Sequence, residues 1–157
     1  MFKPRVLFVC LGNICRSPLA EAAFRKHAAD AGLDAEADSA GTAAYHVGKS
    51  PDPRSVREAA KNGIDIARYS ARQIDEDDFF RFTHIFALDQ SNLHDLRAIQ
   101  PVNSTAELAL LLDTLPHKMG VSVADPYYGD EEGFAETWQD VSEAGLAIVT
   151  QLSAPIG

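Results

Sequence analysis

The chain has 157 residues, 46% of them hydrophobic, which is enough for one well-buried core and too few for two, so residues 1–157 are expected to form a single domain. A formal net charge of −9 excludes a broad cationic surface for phosphate backbones, and nucleic acid is not an expected partner. No basic, apolar, cleavable leader opens the sequence and no apolar stretch approaches a membrane span, so no membrane association is expected and the cytoplasm is the default compartment.

Residues 5–9 (RVLFV) are a short apolar run, rich in β-branched side chains, of the kind found in a parallel strand buried on both faces. A polar, glycine-containing loop follows, Cys10 to Arg16. Ser17-Pro18 then reads as a helix start, serine in the capping place and proline at the first helical position. Ala20, Ala23, Phe24, His27, Ala28 and Ala31 recur at helical spacing up to Gly32. A short strand is expected near 35–40, a long Gly/Pro/Ser-rich loop over 41–53, and a helix near 54–62 ending at Asn62-Gly63. The acidic run Asp75 to Asp78 reads as a solvated helix start. A third strand near 83–88 (THIFAL) precedes a helix from Ser91 to Ile99, and Leu108 to Leu112 is a candidate fourth strand. Phe134, Trp138, Val141, Gly145, Ile148, Val149 and Leu152 share one face of a closing helix. Strands alternating with helices imply an α/β fold: a doubly wound parallel sheet with helices on both faces, whose ligands bind beyond the carboxyl ends of the strands.

The loop C-L-G-N-I-C-R-S at 10–17 lies at one such end. A cysteine and an arginine separated by five residues can bend into a ring that points successive backbone N–H groups at a tetrahedral anion, and the helix behind it adds its positive end. Gly12 and Asn13 supply residue types that tolerate unusual backbone dihedrals. The same field favours the anionic form of the Cys10 sulfur, making it a candidate nucleophile, and the Ser17 hydroxyl is near enough to donate to it. Arg16 offers a planar fork that matches two oxygens of a phosphoryl group.

With that loop as its centre, the sequence resembles the low-molecular-weight protein tyrosine phosphatases. The likeness runs through V-L-F-V-C-L-G-N-I-C-R-S-P-L-A-E-A at 6–22, D-S-A-G-T at 38–42, A-R-Q at 71–73, L-D-Q-S-N-L at 88–93 and A-D-P-Y-Y-G at 124–129. It implies a four-stranded parallel sheet flanked by helices, no metal and no cofactor. It also implies a two-step reaction in which Cys10 attacks phosphorus, Arg16 clamps the phosphate, and Asp125 acts first as acid and then as base. Leu11, Gly12, Asn13, Ile14, Cys15 and Ser17 would form the phosphate loop. Asn13 and Ser39 look like its supports, and Asp89 either holds the site in shape or merely caps the helix at 91–99. Tyr45, His46, Tyr127 and Tyr128 match wall positions, with no selectivity inferred from His46. Cys15 matches a thiol that can form a protective disulfide with the nucleophile. Tyr69 departs from the pattern, standing where a histidine commonly contributes hydrogen bonding beneath the loop.

The implied partners are phosphotyrosine proteins, whether a bacterial tyrosine kinase and its products or host proteins, with phosphate and vanadate as competing oxyanions. Arsenate reductases share the loop but need relay cysteines, and none follows Cys15. Protein arginine phosphatases carry threonine where Ile14 stands, and the apolar residue suits a phenyl ring better. A phosphotyrosine-binding module without turnover would need neither Cys10 nor Asp125.

Overall fold

The computed structural model describes residues 3–154. Its sheet has four parallel strands, β1 (Arg5–Cys10), β2 (Glu36–Gly41), β3 (His84–Ala87) and β4 (Glu107–Leu110), in the order β2-β1-β3-β4. The first strand is therefore internal, flanked by β2 on one side and β3 on the other, in register Phe8 to Ser39 and Phe8 to Phe86. Five helices accompany it: α1 (Arg16–Ala31), α2 (Pro53–Lys61), the single turn α3 (Asp78–Arg81), α4 (Gln90–Ile99) and α5 (Glu131–Ser153).

Alternation along β1 sends side chains to two separate cores. Val6, Phe8 and Cys10 face α1, α2 and α5, meeting Leu19, Ala23, Phe24, Ala59, Val141, Ala144 and Ile148. Leu7 and Val9 face α3 and α4, meeting Phe79, Phe82, Leu93 and Leu96. Both faces are covered, as the sequence predicts, and all four residues from Val6 to Val9 are fully buried. The backbone approach of α1 to α5 is close: a Cβ added at Gly145 would lie 3.3 Å from the Phe24 nitrogen. No helix among the described residues is long and apolar enough to cross a membrane.

Three expectations need correction. Ser17 does not cap α1; the helix begins at Arg16 after Cys15, which supplies no side-chain cap, and the Ser17 hydroxyl is turned to the Cys10 sulfur instead. Pro18 consequently sits at the third helical position, where its missing N–H is still one that no helix carbonyl would have received. The acidic run is not simply solvated, because Asp78 is fully buried and holds the guanidinium groups of Arg72 (2.9 and 3.0 Å) and Arg81. The strand expected at 108–112 stops at Leu110, and residues 111–114 continue as a 3-10 turn.

Strand order reverses at β1, since β2 lies to one side of it and β3 and β4 to the other. A crevice opens at such a point beyond the carboxyl ends of the strands. The turn leaving β1 and the residues leaving β3 both enter it.

Candidate active site

The turn between β1 and α1 owes its shape to Asn13, which takes a left-handed φ of 58°. Asparagine is one of the few residues besides glycine that accept this region. Gly12, expected to share the burden, has no positive φ; its missing side chain leaves room for His46, whose ring would lie 2.9 Å from a Cβ there.

Asn13 is buried and its whole amide is engaged. Nδ2 donates to the hydroxyls of Ser17 (2.8 Å) and Ser39 (3.0 Å), and Oδ1 accepts from the Arg72 backbone N–H (3.0 Å). Ser39 in turn donates to the Glu21 carboxylate (2.8 Å). The Ser17 oxygen accepts from Asn13 and is also hydrogen-bonded to the Cys10 Sγ, 3.0 Å away, where it can donate its proton to a thiolate. A buried hydrogen-bond chain thus runs from Glu21 through Ser39, Asn13 and Ser17 to the sulfur.

Arg16 lies at the other end of the loop and is buried. Its Nη1 donates to Asp89 Oδ2 (2.6 Å) and to the Val123 carbonyl (3.0 Å), and its Nη2 stands 3.7 Å from Asp125 Oδ2. Burial opposes its charge, but the Cys10 sulfur, Asp89 and Asp125 outweigh that and hold the guanidinium above its ordinary pKa. Asp89 both holds Arg16 and caps α4, accepting from the Asn92 N–H at 2.7 Å, so the two roles open at the sequence level are combined in one carboxylate.

Asp125 arrives more than a hundred residues after Cys10, and the connection is made by backbone. The Val123 N–H donates to the Leu88 carbonyl (2.8 Å) just past β3 while its carbonyl accepts from Arg16. Asp125 keeps 41% of its side chain exposed, and its Oδ1 accepts from the Tyr127 N–H at 3.0 Å. Tyr45 is delivered by a second segment, whose Thr42 and Ala43 N–H groups donate to the Cys10 and Leu11 carbonyls (2.9 and 3.0 Å).

These pieces enclose a cavity of about 350 Å³. Cys10, Leu11, Gly12, Ile14, Cys15 and Arg16 form its floor, and Tyr45, His46, Asp125, Tyr127 and Tyr128 its walls. Asn13, Ser17, Ser39 and Asp89 stand behind it as supports. Cys10 and Cys15 are both buried free thiols. Burial first, then the charges of Asp52, Cys10 and Asp125, push the Cys15 thiol up to about 12.

Several residues of this arrangement are not singled out by the sequence. Glu21 is one: a carboxylate among the alanines of α1, four residues before Arg25, which it pairs at 2.8 Å. That spacing was its signal. Burial raises its pKa despite Arg25 and Ser39. Tyr69 is half-buried near the same pair, its phenol pushed up to about 12 by burial and by Glu21. The hydrogen bonds beneath the loop form without it. Asp52, directly before Pro53 at the start of α2, carried only the mark of a helix cap, and Arg54 gave no signal. The Asp52 N–H donates to the Ile14 carbonyl (2.8 Å), and Arg54 reaches the carbonyls of Tyr127 (2.8 Å) and Gly129 (3.0 Å).

Comparison with known proteins points to one family. The family model for low molecular weight phosphotyrosine protein phosphatase matches residues 5–155. A protein of that name from Schizosaccharomyces pombe is 45% identical over 137 residues, covering 85% of this chain and 87% of its own. Among solved structures, the protein tyrosine phosphatase of Entamoeba histolytica with Hepes in its active site superposes with a TM-score of 0.90 at 34% identity, covering 96% of this chain and 97% of that one. The Drosophila arginine phosphatase superposes with a TM-score of 0.88 at 31% identity, covering 95% and 98%. Fold, loop and relatives together define a phosphoric monoester hydrolase. The chain belongs to the low molecular weight phosphotyrosine protein phosphatase family.

Proposed function

We propose that this chain acts as one catalytic domain in the cytoplasm, hydrolysing phosphotyrosine in proteins through a phosphocysteine intermediate. The observation that carries the reading is the meeting, in one cavity, of a buried sulfur hydrogen-bonded to Ser17, a buried guanidinium, and a half-exposed carboxyl 3.7 Å from that guanidinium. Cys10 attacks phosphorus in line, its sulfur forming the S–P bond as the P–O bond to the phenol breaks. Arg16 and the loop amides take up the charge on the equatorial oxygens, geometry that costs no reorganisation because Asp89 and Val123 already fix the fork. Asp125 protonates the departing phenolate, then accepts a proton from the water that cleaves the S–P bond, releasing phosphate.

The walls favour a flat ring. Tyr45 and Tyr128 are largely exposed at the mouth, Tyr127 packs edge-to-face on Tyr128 with centroids 4.9 Å apart, and Ile14 contributes an apolar side to the floor. Inorganic phosphate and vanadate would compete for the same loop. The protein substrates, a bacterial tyrosine kinase and its products or proteins of a host, are selected beyond this cavity.

The test is turnover of p-nitrophenyl phosphate and of matched phosphotyrosine, phosphoserine and phosphoarginine peptides, the last because one similar structure is an arginine phosphatase. Turnover is expected with phosphotyrosine, abolished in Cys10→Ser and slowed in Asp125→Asn, with a phosphoenzyme trapped on Cys10. Preference for phosphoarginine, or full activity in Cys10→Ser, would overturn it.

A further inference from the structure

The carboxyl assigned above as general acid sits on a segment with no regular structure, residues 124–130, between Val123 and the start of α5. The contacts of Asp125 itself do not anchor that segment. One is to the Tyr127 N–H within the same turn, and the other spans 3.7 Å to Arg16. A carboxyl this exposed needs the loop beneath it to be held if it is to meet the leaving oxygen at hydrogen-bond distance.

The hold comes from the N-terminal turn of α2. Four donors of the Arg54 guanidinium are in use: Nε and Nη2 grip the Asp52 carboxylate (3.0 and 2.9 Å), Nη2 also reaches the Tyr127 carbonyl (2.8 Å), and Nη1 the Gly129 carbonyl (3.0 Å). The cation also lies 4.6 Å from the centre of the Phe134 ring, in the first turn of α5. Asp52 fixes the guanidinium and is itself fixed, capping α2 through the Arg54 N–H (2.8 Å) and donating its own N–H to the Ile14 carbonyl of the phosphate loop (2.8 Å). Ser55, the next residue of the same turn, donates to the Cys15 carbonyl (3.3 Å). The acid loop and the nucleophile loop are thus tied to the same helix turn from opposite sides. Arg54 is not among the residues that line the cavity.

We propose that Arg54, braced by Asp52, is a positioning residue that sets the register of the Asp125 loop against the phosphate loop. The proposal rests on Asp125 being the general acid. A lysine could not replace Arg54, because one ammonium cannot span a carboxylate and two carbonyls in a plane.

Leaving-group dependence separates this role from simple structural support. The full chain, Arg54→Ala, Asp125→Asn and the double variant are compared by kcat/KM on phenyl phosphate, whose leaving group needs a proton, and on 2,4-dinitrophenyl phosphate, whose leaving group does not. Arg54→Ala is expected to lose about tenfold or more on phenyl phosphate and little on the dinitrophenyl ester. In the Asp125→Asn background it should add less than about twofold, since residues acting as a unit are non-additive. Asp52→Asn keeps the helix cap while weakening the brace, and should show the same selectivity at smaller size if Arg54→Ala fails to fold. Equal losses on both esters, or losses that multiply with Asp125→Asn, would overturn the proposal. Asp125→Asn with the parental leaving-group dependence would instead overturn the acid assignment, and the proposal with it, and is recognisable without any Arg54 variant.

Discussion

Asn13 concentrates more of the site's geometry than any other side chain, because one amide links β2, α1 and the backbone before α3. Asn13→Ala removes three hydrogen bonds and leaves alanine at a left-handed φ. About 1–3 kcal/mol of stability and at least tenfold in kcat/KM on p-nitrophenyl phosphate should be lost, read by urea unfolding and steady-state rates. The thiols offer a second measurement. With the Cys15 thiol pushed up to about 12 and buried, iodoacetate near neutral pH is expected to carboxymethylate Cys10 and spare Cys15, with inorganic phosphate protecting Cys10. Peptide mapping that finds Cys15 modified first would contradict this. At this scale the sequence was most informative where chemistry is compressed into one loop: every residue lining the cavity stood in the motifs or wall positions read from the chain. Glu21 was legible only as a helical partner of Arg25, and Arg54 not at all, because neither charge carries a mark of the distant groups it meets, Ser39 for one and the Tyr127 and Gly129 carbonyls for the other.

The elements were legible in proportion to their periodicity. α1 and α5 showed themselves through apolar spacing, whereas α3, a single turn, is too short for a period, and the acidic run leading into it gave no sign of which carboxylate is buried. Asp78 belongs to this scale, since it joins α3 to Arg72, whose N–H holds Asn13 and whose side chain also reaches Asp38 at 3.1 Å. Asp78→Asn leaves the part-exposed Arg72 and the exposed Arg81 guanidinium groups facing a buried neutral amide and is expected to cost about 1–3 kcal/mol in urea unfolding, with a fall in activity. The exposed neighbour Glu76→Gln should stay within about 0.5 kcal/mol, which distinguishes a buried pair from the run's net charge.

For the whole molecule, the same groups define a stability curve against pH. Arg54 holds Asp52 below the usual carboxylate range, and Arg72 and the Asp75 N–H do so for Asp78 against the cost of burial. Their stabilisation is present above the unfolded carboxylate values and lost as pH falls through the depressed ones. Glu21, raised by burial, works in the opposite sense and blunts the acid limb. Cys15 and Tyr69, both pushed up to about 12 from 9.0 and 10.0, contribute stability that is complete below those unfolded values and lost as pH rises toward about 12. Urea midpoints at about pH 4, 7 and 10 should therefore be highest in the middle, and Cys15→Ser with Tyr69→Phe should flatten the alkaline limb, at up to about 1.4 kcal/mol per pH unit for each group. The sheet itself was anticipated because strands and helices alternate. What the alternation did not reveal is which loops meet at the switch point.

The packing of α1 against α5 bears on how the enzyme comes into being on a ribosome. Cys10 and Arg16 are made more than a hundred residues before the helix that completes the cover of the apolar face of α1, residues 131–153. The carboxyl at 125 is translated just before that covering helix, and its loop is held by Arg54, whose guanidinium lies over the Phe134 ring of the same helix. A nascent chain therefore holds Cys10 and Arg16 before Asp125 exists, and the cavity they share takes its final shape only once residues 125–153 have followed.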